Sequence, residues 1–176
     1  RCCVLVCCCA LLKRCRMVGR FLRFKVTAVD GIWGKNWYYA TPVIDGKPSG
    51  EKLKIFAFTK ENFDSLSARE RADGPKPVFK SSTYSFGKRP AGTEVTASWE
   101  FSNMGKSPLK VYKVDVESEQ ATHTDIPEIP AGGKGSLNVS LDTSGMPEGE
   151  TLVIVTLTTN SPIRPIVNLF ITGWIE

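Results

Sequence analysis

The sequence predicts an all-β protein whose C-terminal part is an antiparallel β-sandwich of about seven strands. Residues 95–101 alternate apolar and polar side chains, the period of a strand with one buried and one solvent-facing surface. Residues 136–142 repeat this alternation, with Leu137, Val139 and Leu141 on the apolar side. Turn signals rich in Gly and Pro separate such segments at near-regular intervals, the spacing typical of a sandwich.

Residues 1–16 form a basic segment that contains all six cysteines of the chain. A metal cluster is disfavoured because adjacent cysteines point in different directions and no histidine lies nearby. A secretory signal would have its basic residues before the apolar run, whereas Lys13 and Arg14 follow it. Palmitoylated cysteines beside a basic patch are a third interpretation. We favour a segment outside the natural domain, because the composition changes abruptly near Met17.

Residues 17–58 are interpreted as a partial immunoglobulin-like copy, the last two strands of an upstream domain. Phe21–Val29 and Leu53–Phe58 are the two strand candidates. A glycine followed by a strand rich in β-branched residues occurs near residue 19 and again at residue 149, which suggests an internal repeat. The fold prediction therefore places a β-hairpin remnant of a second copy before the complete sandwich.

The segment between these two strand candidates, Gly31–Lys52, is rich in Gly and Pro and is predicted to be a long loop or hairpin arm. It contains the candidate binding residues Trp33, Trp37, Tyr38 and Tyr39. Such rings anchor protein interfaces and also stack on sugars. The alternative is that they pack on the sheet from which they come. As a binding site, they would take a protein partner or, alternatively, a carbohydrate.

Residues 59–76 are predicted to be a short helix and a linker. Lys60–Ala72 has acidic residues early and basic residues late, which matches the helix dipole, and Thr59 can cap it. The run Asp73–Pro77 then ends the helix and forms a domain boundary.

The remaining residues, 77–176, are predicted to form the sandwich. Its predicted strands are, in order, Val78–Lys80 with Tyr84–Phe86 as one interrupted strand, Val95–Ser102, Leu109–Val116, Thr122–Ile126, Ser136–Asp142, Thr151–Thr159 and Ile166–Ile175. Asn103-Met104-Gly105 is read as a tight turn in which Gly accepts a positive φ. Thr151–Thr159 is apolar on both faces over its first half and is therefore expected to be a central strand. Without cysteines in this region, the core depends on apolar burial alone.

Charge and hydropathy argue against a nucleic-acid interface and against a transmembrane helix. The net charge of +5 is local, because residues 1–25 hold seven Lys and Arg and no acidic residue. The remainder has 16 basic and 18 acidic residues, a net charge of −2, so we expect no nucleic-acid interface on the folded domain. No apolar run reaches the roughly 18 residues of a transmembrane helix.

Catalytic and metal sites are not predicted. His123, the only histidine, shares a strand face with Asp125 and could form a hydrolase-like set with a Ser or Thr, but an exposed strand edge explains the pair better. Asp115, Glu117 and Glu119 alternate onto one face, where a solvated surface is favoured over a cation site. We therefore predict a protein that is not an enzyme and has no cofactor, and the sequence does not specify its oligomeric state.

The second half of the chain contains an ordered series of motifs: Phe86-Gly87, then Val95–Asn103, then Asn103-x-Gly105-x-x-Pro108-Leu109-x-Val111-x-x-Val114, then Ile129-Pro130-Ala131-Gly132, then the loop Ser144–Gly149, then Thr159-Asn160-Ser161-Pro162. This series resembles the bacterial domain of unknown function 1573, which is similar to the ASH/HYDIN group of immunoglobulin-like domains. The resemblance covers about residues 77–176 and reaches residues 17–58 only as a partial copy.

The resemblance implies an immunoglobulin-like sandwich, often in tandem copies, in proteins often exported to the periplasm or cell envelope of Gram-negative bacteria. It brings no enzymatic activity. Many members have a Cys-x-Cys-type motif after the third strand, but residues 115–123 of this chain contain no cysteine, which places any metal or redox role of that motif in doubt. The function we expect is a non-enzymatic envelope or surface module that binds protein partners, with a carbohydrate-binding module as the alternative.

Overall fold

The structure is a computed structural model that describes residues 4–7, 12–18, 21–26, 29, 31–44, 47–48 and 50–176. The chain divides into two compact units, residues 1–59 and residues 60–176. Strands dominate both units, which confirms the all-β prediction. The predictions for residues 1–16 concern features that lie largely outside the described residues, since only the strands Val4–Cys7 and Leu12–Val18 are described there.

The first unit contains short antiparallel sheets. Its strands are β1 (Val4–Cys7), β2 (Leu12–Val18), β3 (Phe21–Val26), β4 (Gly34–Ile44), β5 (Lys47–Pro48) and β6 (Leu53–Thr59). Strand β4 pairs with β1, β5 and β6, while β2 pairs with β3. The aromatic segment is thus a hairpin arm rather than a loop, and the two predicted strands lie in different sheets, β3 with β2 and β6 with β4. The partial-copy interpretation stays a prediction.

The only helix among the described residues, α1, spans Ala68–Asp73 and so begins later than predicted. Ser67 caps it through a capping box. The Ser67 hydroxyl accepts the Glu70 N–H at 3.3 Å, and the Glu70 carboxylate accepts the Ser67 N–H at 2.8 Å. The Ser67 hydroxyl also donates to the Glu70 carboxylate at 2.6 Å, and this bond, followed by the bond from the Ser67 N–H, lowers the pKa of Glu70. The side chain of Arg71 donates to the carbonyls of Phe63 and Leu66, which lie before the helix. These bonds hold residues 63–66 as a turn.

The second unit is a sandwich of two four-stranded sheets. Its strands are β7 (Pro77–Phe79), β8 (Thr83–Arg89), β9 (Glu94–Asn103), β10 (Val111–Val116), β11 (Ala121–His123), β12 (Lys134–Asp142), β13 (Gly149–Thr159) and β14 (Ile166–Ile175). One sheet has the order β10-β13-β14-β8, and the other has the order β11-β12-β9-β7. The predicted inward residues of β9 and β12 are buried, and all except Phe101 meet the inward face of β13 and β14 in one core. Phe101 packs with Leu109 and Ile129 in a second, smaller cluster.

Two predicted connections differ from the structure. The interrupted first strand is two strands, because β7 pairs with β9 whereas β8 crosses to the other sheet and pairs in parallel with β14. Strands β9 and β10 do not form a hairpin joined by a tight turn, since β10 pairs with β13 in the opposite sheet. Alternation specifies which face of a strand is buried, but it does not specify the partner strand.

Strand β13 is central, as predicted, but the part of it that is buried on both faces differs from the prediction. Leu152 in the first half is exposed, whereas Thr156–Thr159 are all buried. Beside β13, the ring of Phe86 occupies the space over Gly173, where an added Cβ would overlap the ring. The ladder between β8 and β14 shifts register at this point. Gly173 therefore allows close packing of Phe86 against the sheet.

Candidate functional site

The four predicted binding residues do not share one surface. In β4, Trp37 and Tyr39 each expose 53% of their area, whereas Tyr38 between them exposes 8%. Successive side chains of a strand point to opposite faces, which explains the split. Trp33 lies just before β4 and is half-buried. Only Trp37 and Tyr39 therefore project together, and the binding role of the four residues stays a prediction.

Strand β6 completes the surface that Trp37 and Tyr39 begin. Phe56 lies directly opposite Trp37 in the register and exposes 48% of its area. The two ring centroids are 4.9 Å apart and the rings are tilted by 53°. Lys54 lies opposite Tyr39, and its Nζ is 4.0 Å from the centroid of the Trp37 ring. We call Trp37, Tyr39, Phe56 and Lys54 the aromatic face.

Sequence reasoning missed Phe56 and Lys54, which contribute to the aromatic face from β6. Both alternate with Leu53 and Ile55, whose register partners Ala40 and Tyr38 lie on the buried side of β4. If residues 31–52 are interpreted as one arm of a hairpin whose other arm is β6, Phe56 and Lys54 are expected opposite Trp37 and Tyr39.

The aromatic face combines apolar area with a cation held over an indole. The ammonium of Lys54 is within the distance at which a cation is attracted to a ring face. It covers part of one face of Trp37, the surface on which a sugar would have to stack. The arrangement therefore suits a partner with apolar and acidic groups better than a neutral sugar ring.

Asn103, from the family-like motif, is a buried structural junction. Its side-chain Nδ2 donates to the carbonyls of Ser107 at 2.8 Å and Ile129 at 3.2 Å. Its Oδ1 accepts the N–H groups of Lys76 at 3.0 Å and Gly105 at 3.1 Å. The side chain is fully buried and both ends of its amide are satisfied. The motif thus joins three loops at one end of the sandwich.

Gly105 is required for close packing rather than for a positive φ. Its φ is outside the left-handed region, contrary to the predicted turn. A Cβ at this position would overlap the carbonyl oxygen of Gly74 and lie 2.7 Å from the Cα of Pro75. The run predicted as a linker therefore packs against the segment that follows β9.

His123 and Asp125, for which an exposed strand edge was the favoured interpretation, lie beside a cleft of about 470 Å³ between β10 and residues 123–126. His123 and Asp125 line the cleft and are both exposed. The Nδ1 of His123 lies 3.2 Å from the carbonyl oxygen of Thr124. Asp115 is paired with Lys113 at 2.7 Å. Among the described residues, no group of three His, Cys, Asp or Glu side chains could hold a metal ion.

Tyr112 lines this cleft and also contacts the segment before α1. Its hydroxyl donates to the Glu61 carboxylate at 2.7 Å. Burial, and then the hydrogen bond and the charge of Glu61, raise the pKa of Tyr112 well above its ordinary value. This phenol is therefore a structural donor at neutral pH rather than a base.

Comparison with known proteins identifies the fold and the family. The structure resembles a protein of unknown function from Porphyromonas gingivalis W83, with a TM-score of 0.65 and 19% identity over 87% of this chain and 70% of that one. It also resembles an ASH/PapD-like domain of human CEP192, with a TM-score of 0.46 and 10% identity over 68% of this chain and 96% of that one.

No curated protein matches the sequence. No helix among the described residues is long and apolar enough to cross a membrane. The family described as "Protein of unknown function (DUF1573)" matches residues 77–175, which comprise the eight strands of the sandwich almost in full. The chain therefore belongs to the DUF1573 family, with an immunoglobulin-like fold, as its motifs predicted.

Proposed function

We propose that this chain is a non-enzymatic module of the bacterial cell envelope or surface that binds a protein partner through the aromatic face. The observation that supports this is the set of three large aromatic side chains, each about half exposed, on one side of β4 and β6. Aromatic residues are enriched where protein interfaces are buried. The envelope location follows from the family resemblance.

The contacts of the aromatic face favour a protein over a sugar. Trp37 contacts the Phe56 ring and the Lys54 ammonium, so part of its ring is already covered. A protein partner can cover such an uneven surface and place a carboxylate near the Lys54 ammonium. A sugar-binding platform would need an open indole face. The non-enzymatic assignment is supported by the exposed position of His123 beside a backbone carbonyl.

The test is capture of a partner from an envelope extract by the immobilised full chain. We expect Trp37→Ala to weaken the captured complex by about 30-fold or more, since a central aromatic anchor contributes about 2 kcal/mol or more. Phe56→Ala should act in the same direction. The matched control is Trp174→Ala, because Trp174 is also a strand tryptophan with 48% of its area exposed, but it lies on β14.

Equal capture by the wild type and Trp37→Ala would contradict the proposed site. Loss of capture in Trp174→Ala alone would move binding to the outer face of β14. A glycan array with the wild type and Trp37→Ala separates the carbohydrate alternative, because a signal lost in the variant would favour a sugar ligand.

A further inference from the structure

The sheet β11-β12-β9-β7 has a cleft on its outer face, and the function proposed above does not use it. The cleft has a volume of about 380 Å³ and lies over β9, with β7 on one side and β12 on the other. Its lining is mostly polar. We call the group of Ser102, Glu100, Lys134 and Ser136 within it the polar cleft. All four residues belong to the second unit.

The strand register arranges the cleft residues in two rows. In the first row, Ser102 of β9 lies between Val78 of β7 and Lys134 of β12. In the second row, Glu100 of β9 lies opposite Ser136 of β12. On β9 these positions alternate with buried ones, so their side chains share the outer face. Opposite residues have Cβ atoms about 5 Å apart and the rows are about 7 Å apart, so one small ligand can contact both rows.

The cleft contains one more positive charge than negative charges. Lys80, which follows β7, forms an ion pair of 2.7 Å with Glu100. The hydrogen bond from Lys80, and then its charge, lower the pKa of Glu100, and the charge of Lys134 acts in the same direction. Among residues 50–176, the Lys134 ammonium has no ion-pair partner of its own. The excess charge therefore attracts an acidic ligand.

Two hydroxyl groups of the polar cleft are also free to bind a ligand. Within the described part of the second unit, neither Ser102 nor Ser136 makes a side-chain hydrogen bond. Further along the same face, by contrast, the hydroxyls of Thr96 and Ser140 bond to each other at 3.4 Å. A ligand that replaces water on a free hydroxyl breaks no bond within the protein. The two serines therefore add hydrogen-bonding groups beside the lysine at no cost in internal bonds.

Glu100 limits the ligands that fit, because an ionised carboxylate only accepts hydrogen bonds and repels a second anion. A ligand that suits the whole cleft has one carboxylate near Lys134 and Ser102, and hydroxyl donors near Glu100. Sugar acids carry both groups on one ring, whereas acetate has no donor for Glu100. Val78, which exposes 40% of its area, adds an apolar surface for the C–H groups of such a ring.

We infer that the polar cleft binds a carboxylated sugar of the uronic acid type. The carboxylate of the ring accepts hydrogen bonds from Lys134 and Ser102. Its hydroxyl groups donate to Glu100 and exchange hydrogen bonds with Ser136. The residues are separate from those of the aromatic face, and the inference does not depend on the function proposed for that face.

The test is titration of the isotopically labelled full chain with trigalacturonate and with trimannuronate, followed through the backbone amide signals. We expect shifts at Ser102, Lys134 and Ser136. Lys134→Ala should weaken binding about tenfold or more, because a charge-assisted hydrogen bond is lost, and Ser102→Ala about threefold to tenfold. Glu100→Gln should also weaken binding, although it removes a negative charge, since the amide keeps only one acceptor oxygen. The amide spectrum of each variant monitors folding.

The matched controls are Lys88→Ala and Ser98→Ala. Lys88 is an exposed lysine of the other sheet, and Ser98 is an exposed serine of β9 outside the cleft. Both variants should bind like the wild type, as should Trp37→Ala, because the aromatic face is not involved. The methyl esters of the trimers should bind at least tenfold more weakly. Titration with monomeric galacturonate separates a free sugar acid from a polysaccharide, since only a polysaccharide site prefers the trimer.

Three results would overturn the inference. The first is the absence of shifts in the polar cleft with both trimers. The second is tighter binding by Glu100→Gln, which would indicate attraction of any anion. The third is tighter binding of a tripeptide that ends in valine with a free carboxylate than of either trimer, because a peptide terminus would then be the ligand.

Discussion

The side-chain oxygen of Asn103 accepts a hydrogen bond from the backbone N–H of Lys76, which precedes it by 27 residues, at 3.0 Å. The carbonyl of Lys76 in turn accepts the N–H of Met104 at 2.8 Å. The segment before β7 is thus fastened to the end of β9 through both backbone groups of Lys76. The consequences for stability can be measured directly.

Replacing Asn103 by Ala should destabilise the second unit by about 3 kcal/mol or more, because several buried backbone groups lose their partner without access to water. Urea unfolding of the full chain measures the change. Asn168→Ala is the control, since Asn168 is exposed on β14 and should change stability by no more than about 0.5 kcal/mol. Similar losses in both variants would show that the junction contributes little.

A fragment that begins at residue 60 should be more stable than one that begins at residue 77, by about 2–4 kcal/mol. The longer fragment keeps the Lys76 bond to Asn103 and the bond from Ser161 Oγ to the Pro75 carbonyl, 2.6 Å long. Thermal and urea unfolding of the two fragments test this. Equal stabilities would mean that residues 73–76 act as a linker after all.

Substitution of Gly105 by Ala should cost about 3 kcal/mol or more, because the new methyl group would overlap the backbone of the segment before β7. Gly132→Ala provides the comparison. Gly132 has φ +72° and open space around it, so its substitution should cost only the strain of a left-handed residue, about 1 kcal/mol. A smaller loss at Gly105 than at Gly132 would contradict the packing argument.

Two adjacent buried threonines should respond in opposite directions to substitution by Val. The hydroxyl of Thr158 finds no hydrogen-bond partner among the described residues, whereas that of Thr159 donates to the Arg164 carbonyl at 2.8 Å. Thr158→Val should be neutral or stabilising by up to about 1 kcal/mol, and Thr159→Val should destabilise by about 1–3 kcal/mol. Chemical denaturation of both variants measures these stability changes. A larger loss of stability in Thr158→Val than in Thr159→Val would contradict the argument.

The raised pKa of Tyr112 predicts a loss of stability in alkali. Burial, followed by Glu61, disfavours the phenolate in the folded state, so the stabilisation is complete below the unfolded pKa of about 10 and is lost as the pH rises above it. Unfolding measured across this range should show a smaller decline for Tyr112→Phe. Glu61→Gln should keep part of the decline, because burial is the larger cause. An identical decline in wild type and Tyr112→Phe would contradict the assignment.

The sequence predicts strand faces well, because burial on one side of a strand imposes a local period of two. The inward positions of β9 and β12 followed from this period alone. It does not predict that the chain changes sheets between Phe79 and Thr83, since pairing depends on residues far away in the sequence. The later start of α1 was detectable, because Ser67 and Glu70 have the spacing of a capping box.

The candidate site was only partly predictable for the same reason. The sequence shows Trp37 and Tyr39 as part of an aromatic cluster. It does not show that Tyr38 points to the opposite face, because this depends on the residues forming a strand. Phe56 and Lys54 join them through the register of β4 with β6, which is a non-local property. The role of Asn103 was likewise hidden, because its partners come from three separate loops.

The parallel pairing of β8 with β14 has a consequence for biosynthesis. Thr83 pairs with Phe170 and Arg89 with Ile175, so β8 waits for a strand that follows it by 86 or 87 residues. Until β14 is synthesised, β8 has no strand with which to pair, and the core is incompletely covered on that side. Such long-range pairing slows folding and leaves apolar surface exposed meanwhile. The nascent chain therefore exposes this apolar surface until β14 has left the ribosome.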